Sequence, residues 1–227
     1  MFPLFAISKT LFITGTDTGV GKTHVAVRLV SALSRAGISV AGFKPVACGD
    51  REDAEQLRAA GSDPGVPLDL VNPQYFLTPA APLIAAREEQ RGIDFCALHD
   101  SFEALCSTHE VVIVEGAGGW EVPLTGERTL GDLAGEWGSP VVIVAADRLG
   151  VLNHLLLTVA AVRRRGLRLA GLLLNSPTGV PSDPVARNAE ALKLLGGLPR
   201  PVPCPADGSP EWLGLAREWL ELPGLRA

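Results

Sequence analysis

Five short aliphatic runs, each followed by residues with helical spacing, limit what this chain can fold into more than any other feature. The runs fall at residues 10–15, 39–44, 111–115, 140–146 and 169–175 and are rich in Val, Ile and Leu. Strands apolar on both faces need cover on both faces, the mark of a parallel sheet between helices. Residues 22–36 carry Val25, Leu29, Leu33 and Ala36 at three- and four-residue spacing and stop at Gly37. Residues 151–165, "VLNHLLLTVAAVRRR", run into Gly166, and Asp94 can cap a helix through Leu105. The alternation predicts an α/β fold of three layers with a mainly parallel central sheet. Right-handed crossovers then put the loops that follow the strands along one edge, where ligands bind.

Residues 61–82, "GSDPGVPLDLVNPQYFLTPAAP", interrupt this rhythm. Their prolines argue against a central strand, so a long loop is expected, with a helix at about residues 83–89. No repeat or compositional break marks a second unit, so residues 1–227 are expected to form one domain. The net charge of -5 offers no attraction to nucleic acid or anionic lipid, which leaves small molecules as the expected partners. Cys48, Cys96, Cys106 and Cys204 form no CxxC pair and signal neither a disulfide framework nor zinc. With no basic leader in "MFPLFAISK" and no run of membrane-crossing length, a soluble cytoplasmic protein is expected.

The first strand breaks into "GTDTGVGKT" before the first helix. Glycines there let successive backbone N–H groups converge on an anion, and the helix N-terminus adds its dipole. Gly15, Thr16, Asp17, Thr18, Gly19, Val20, Gly21, Lys22 and Thr23 therefore form a candidate phosphate cradle. Lys22 supplies a point charge for the β- and γ-phosphates, and the Thr23 hydroxyl can ligate Mg2+. The common G-x4-G-K-[ST] pattern needs a glycine at position 16, where this chain has Thr16, with Gly15 one step earlier. A glycine-rich turn with a chance lysine is the competing reading. The strand before the loop and the helix after it weigh against that reading.

In "VVIVEGAGGW" an apolar strand delivers Glu115 to the edge that carries Lys22. A carboxylate there is placed to hold Mg2+ directly or through water, or it is an ordinary strand-end acid. "GAGG" lacks the spacing of a dinucleotide site, so NAD is discounted. "GFKPVACGDREDAEQLR" ends a strand on Lys44 at the same edge. A second lysine there suggests a reacting group that is itself charged. Asp53, on the next loop or helix start, could complete a metal shell; on its own it reads as a surface charge. In "DRLGVLNHLLLT" the helix start at Gly150, Val151, Leu152 and Asn153 offers free N–H donors to an anion such as a carboxylate. Asn175, at a strand end, has the amide geometry to read a base edge. Either could equally be a cap. The "RRR" at residues 163–165 suits a helix C-terminus and calls for no partner.

Together "GTDTGVGKT", "KPVACG", "VEGAGGWEVPL", "DRLGVLNH" and the strand ending in Asn175 resemble the dethiobiotin synthetase family, in order from residue 11 to about 175. Beyond residue 180 the resemblance fades, although "PVPCP" at residues 201–205 lies where that family contacts adenine. The resemblance implies a P-loop NTPase-type fold and a homodimer that binds 7,8-diaminononanoate at the subunit interface. It implies carboxylation by CO2, activation by ATP with Mg2+, and closure of a ureido ring. Lys22, Lys44 and Thr18 would then serve catalysis, and Thr23, Asp53 and Glu115 would hold the metal. The cradle and Asn175 would bind nucleotide. Lys44, Cys48, Gly118 and, from the partner subunit, Gly150, Val151, Leu152 and Asn153 would bind substrate. Cys48 stands where the family commonly has serine, which exchanges a hydroxyl hydrogen bond for a weaker thiol one. Gly19 stands where some members carry glutamate, so any side-chain contact there is lost.

Three other readings compete, one of them a nucleotide-binding module that has lost activity, which Cys48 alone supports. A partner-regulating switch ATPase of the partitioning or maturation type usually carries a further lysine early in the phosphate loop, and "GTDTGVG" has none. A cobyrinate-type amidating synthetase would need an attached glutaminase domain, for which 227 residues leave no space.

Overall fold

The computed structural model describes residues 8–176 and 187–222. The elements begin with β1 (Lys9–Gly15), α1 (Lys22–Arg35), β2 (Val40–Phe43), β3 (Val46–Cys48), α2 (Glu52–Ala60), α3 (Leu68–Val71), β4 (Gln74–Phe76) and α4 (Pro82–Glu88). They continue with α5 (Phe95–Thr108), β5 (Val111–Gly119), α6 (Leu130–Trp137), β6 (Val141–Ala146) and α7 (Val151–Arg164). The chain then adds β7 (Leu169–Asn175), α8 (Asn188–Leu194), β8 (Pro201–Pro203) and α9 (Glu211–Leu220).

The α/β expectation holds: six strands in the order β2-β5-β1-β6-β7-β8 form one parallel sheet. Its middle is dry, with Leu11, Phe12, Ile13, Val111, Val112, Ile113, Val142 and Ile143 fully buried. The aliphatic runs are continuous because both faces are covered. Helix α1 lays Val25, Leu29 and Leu33 against the sheet, while Phe12 meets the edge of Trp120 at 5.9 Å between ring centres. Removing the Leu29 side chain from such a site costs about 2–5 kcal/mol. Register sets the functional edge. Phe43 pairs with Val114 and Ile13 with Glu115, so Lys44, one residue past β2, emerges level with Glu115.

Several expectations need correction. Residues 61–82 are not one loop: they contain α3 and β4, and β4 pairs in parallel with β3 as a separate two-stranded sheet. Pro82 begins α4, where its missing N–H costs nothing. The strand expected to end at Glu115 continues to Gly119 and carries "GAGG" with it. Lys44 lies beyond β2, which ends at Phe43. Asp94 does cap α5, its carboxylate accepting from Ala97 N at 3.0 Å, but the helix runs on to Thr108. The leader-free reading of the N-terminus rests mostly on residues 1–7, which lie outside the described residues. Among the described residues no helix is long and apolar enough to cross a membrane.

Candidate active site

The loop between β1 and α1 folds over its own first residue. A Cβ at Gly15 would lie 2.7 Å from Asp17 O and 2.8 Å from Val20 Cγ2, so only glycine lets the chain turn back there. The glycine stands at position 15 because that is where the loop closes. Gly21, at φ 98°, is the N-cap of α1, and a Cβ on it would lie 2.1 Å from Asn175 Nδ2. That amide donates to Val20 O at 2.8 Å. Asn175 thus braces the phosphate loop, a duty that sequence reasoning did not foresee. Lys22 is buried and donates to Asp17 O at 3.1 Å, curling over the loop. Burial first, and the Lys44 charge second, bring its pKa down to about 8.

Thr23, Lys44, Asp53 and Glu115 meet in one hydrogen-bonded cluster, which brings together the three candidate metal ligands and adds Lys44, expected from the sequence on the reacting group rather than on these carboxylates. Thr23 Oγ1 lies 2.8 Å from both Asp53 Oδ1 and Glu115 Oε1. Lys44 Nζ donates to Asp53 Oδ2 and Glu115 Oε1, each at 2.6 Å. Asp53 enters as the second residue of α2, a helix too charged to be recognised by periodicity. Burial works against the Lys44 charge, yet Glu115 and Asp53 outweigh it and hold its pKa above the ordinary lysine value. The Asp53 carboxyl, despite partial burial, is drawn down by Lys44. For Glu115, wholly buried, desolvation pushes upward against the pull of Lys44, and its Oε2 has no hydrogen-bond partner among the described residues.

Beyond Lys44 opens a cleft of about 590 Å³. Thr18, Lys44, Cys48, Asp53, Gly118 and Val122 contribute to its lining, so the candidate substrate residues Lys44, Cys48 and Gly118 do face one space. Cys48 ends β3, half-buried, and burial followed by the Glu89 charge raises its thiol to about 11. It is a neutral, weak donor here. Gly118 holds φ 63° against Val122, where a side chain would collide at 2.9 Å.

Gly150, Val151, Leu152 and Asn153 are not among the residues lining this cleft. They form the start of α7, with Gly150 as its N-cap at φ 89°. The preceding loop is held by Asn188, whose Nδ2 donates to Asp147 Oδ1 at 2.7 Å and Arg148 O at 3.2 Å. Arg148 also lies 3.6 Å from Asp17 of the phosphate loop. The expectation that "RRR" needs no partner is wrong for all three: Arg163 donates to Gly197 O, Arg164 to Glu121 at 3.2 Å, and the largest set belongs to Arg165. It forks onto Glu121 at 2.7 and 2.8 Å and reaches Asp132 and Thr129 at 2.9 and 3.0 Å, fixing the chain beside the cleft. A second cleft of about 550 Å³, between Thr16, Trp120 and His154, left no signal in the sequence.

A parallel sheet whose first strand feeds a glycine loop and a Lys-Thr helix start, with an acid at the end of β5, defines a P-loop nucleotide-binding fold. Solved structures agree on that fold: a plasmid partition protein from Borrelia burgdorferi superposes with TM-score 0.59 at 14% identity, covering 96% of this chain and 98% of that one. A ParA family ATPase from Chlorobium tepidum gives TM-score 0.56 at 16% identity, covering 95% and 92%. Identities this low carry the fold alone. A family model described as an AAA domain matches residues 9–202. ATP-dependent dethiobiotin synthetases are similar in sequence throughout: that of Anaeromyxobacter dehalogenans is 48% identical over 82% of this chain and 85% of its own length. Those of Akkermansia muciniphila and Escherichia coli are 45% and 38% identical, over 74% and 91% of this chain and 78% and 92% of theirs. The chain belongs to the ATP-dependent dethiobiotin synthetase family, and it is a nucleotide-using enzyme.

Proposed function

We propose that this chain carries out the reaction for which its family is named, acting as one catalytic domain: carboxylation of 7,8-diaminononanoate by CO2 and closure to dethiobiotin, with ATP converted to ADP and phosphate. The observation that carries this reading is the double membership of Lys44. It bonds the Asp53 and Glu115 carboxylates beside Thr23, and it also lines the cleft with Thr18, Cys48 and Gly118. A switch ATPase needs no such lysine facing a small-molecule cleft. The partition proteins share the fold, at an identity that says nothing of function.

The chemistry asks for what these residues offer. One amine adds to CO2, forming an N–C bond and losing a proton, which gives a carbamate. A carbamate oxygen then attacks the γ-phosphorus as the bond to ADP breaks. The second amine adds to the activated carbonyl, and phosphate leaves as the ring closes. The second step brings two anions together, so cationic groups must neutralise the transferring phosphoryl group. Lys22 serves the phosphates, Lys44 faces carbamate and phosphoryl oxygens, and Thr18 orients the reacting groups.

The donor set fits Mg2+: two carboxylates and a hydroxyl are hard oxygen ligands, and the buried Glu115 Oε2, unpaired among the described residues, is an acceptor open to a cation. We assign Thr23, Asp53 and Glu115 to hold it. When bound, the ion offsets the charge of the phosphate oxygens during transfer. The exposed start of α7 suits the substrate carboxylate of a second subunit in a homodimer. Leu149, Leu156 and Leu157 expose apolar surface beside it, which supports that pairing. Four free thiols fit a reducing, cytoplasmic setting.

The test is direct. Purified protein with Mg-ATP, 7,8-diaminononanoate and labelled bicarbonate is expected to release ADP and fix label in an acid-stable ureido product. ATP turnover indifferent to the diamine would favour the switch instead.

A further inference from the structure

Lys44 sits on the same carboxylates that, on the metal reading above, receive the divalent ion. Its ammonium bridges Asp53 Oδ2 and Glu115 Oε1 at 2.6 Å each, while Thr23 Oγ1 spans the opposite oxygen of Asp53 and the same oxygen of Glu115 at 2.8 Å. The ammonium thus occupies one oxygen from each of the two carboxylates that would ligate Mg2+. Lys22 makes a different contact, to the Asp17 carbonyl, and leaves the carboxylates to Lys44. Lys44 and a divalent ion cannot share those oxygens, because like charges a few ångströms apart repel strongly in so buried a place. The lysine has somewhere to go, since it already lines the adjoining cleft.

We propose that Lys44 stands in for the divalent cation in the nucleotide-free protein, and that arrival of Mg2+ with nucleotide displaces its ammonium from Asp53 and Glu115 into the cleft. Lys44 then changes partners during each cycle. It neutralises the buried Glu115 carboxylate and the half-buried Asp53 one when no metal is bound, and turns to the reacting anions once the metal takes its place. Phosphoryl transfer and placement of the second ammonium become linked, because the same ion brings both about. The inference rests on the assignment of Thr23, Asp53 and Glu115 as metal ligands.

The chain's composition makes the test clean, since Lys9, Lys22, Lys44 and Lys193 are its four lysines. Ammonium signals of 15N-lysine-labelled protein can be followed by NMR, with Lys44 assigned by loss of its signal in Lys44→Arg. ADP with EDTA is expected to move the Lys22 signal and leave that of Lys44 in place. Adding Mg2+ to the ADP-bound protein is then expected to shift or broaden the Lys44 signal. A Lys44 signal that does not respond, in protein that binds Mn2+ with ADP by electron paramagnetic resonance, would overturn the displacement. Failure of the ADP-bound protein to bind Mn2+ at all would overturn the metal reading and this inference with it. In a second arm, nucleotide-free Lys44→Met is expected to bind Mn2+ at least about tenfold more tightly than the unaltered protein, because the competing charge is gone. Equal or weaker binding by the folded variant would count against the proposal.

Discussion

The phosphate loop and the wall of the cleft facing it are built on opposite principles. The loop is locked by sterics: Gly15 and Gly21 have no room for a Cβ, Asn175 braces the backbone, and Lys22 closes over the top. The wall made by Cys48, Gly118 and Val122 is a loosely polar surface, and Lys44 is the lysine that faces it, with Asp50, Glu52 and Asp53 also on the rim. The nucleotide end is therefore pre-organised by the chain itself. On our reading, the acceptor end depends on one ammonium and on a helix start supplied by a second copy.

The largest expected effect tests whether Lys44 serves the wall or the loop. Lys44→Ala should lower turnover by about 100- to 1,000-fold, the usual cost of losing a group that stabilises transition-state charge. Affinity for ADP in EDTA, by calorimetry, should change by less than about threefold. Equal losses in both would move Lys44 to the nucleotide side and erase the contrast.

Gly21→Ala probes the loop. At φ 98° with Asn175 Nδ2 2.1 Å from the new methyl, the loop must open or the amide must leave Val20 O. Nucleotide affinity should fall by about 100-fold, in line with backbone strain of a few kcal/mol. Affinity kept within about threefold would mean that the loop is not sterically locked.

A smaller effect concerns pH. With its pKa brought down to about 8, Lys22 loses its proton as pH rises through that value, while bound phosphate favours the charged form and raises the pKa again. ADP binding at pH 8 should therefore take up about half a proton, read from calorimetry in buffers of different ionisation heat. Proton release, or none at all, would contradict the buried setting of Lys22. The smallest effect belongs to the wall. Cys48→Ser replaces a neutral thiol by a better donor and should improve apparent diamine affinity by about threefold, with nucleotide affinity unchanged. A change in nucleotide affinity instead would show that the two ends are not separate.

The same contrast explains what was legible in the sequence. The central strands announce themselves as Val/Ile/Leu runs because burial on both faces leaves no polar position. Gly15, Lys22, Thr23, Lys44 and Glu115 were recognisable because strand ends deliver them to one edge. The second layer of the site was not. Strands β3 and β4 are three residues each, too short to show a period, and β8 contains Pro201 and Pro203, which mark it as an edge. Helix α6 has two glycines in its eight residues, although its Thr129–Asp132 capping box could have betrayed its start. Asp53 reads as a surface acid until tertiary contact brings Thr23 and Lys44 to it. Arg165 and Asn188 act across more than thirty residues of chain, a distance that no local pattern records.

The central claim is that two ammonium groups and a metal-ligand cluster surround the point where a carboxylated amine meets the end of ATP. A crystal structure with Mg2+, a non-hydrolysable ATP analogue and the diamine tests it most directly. The terminal phosphorus is expected within about 5 Å of both Lys22 Nζ and Lys44 Nζ, with the diamine in the cleft lined by Cys48 and Gly118. A terminal phosphorus remote from Lys44, or a diamine bound elsewhere on the protein, would contradict it.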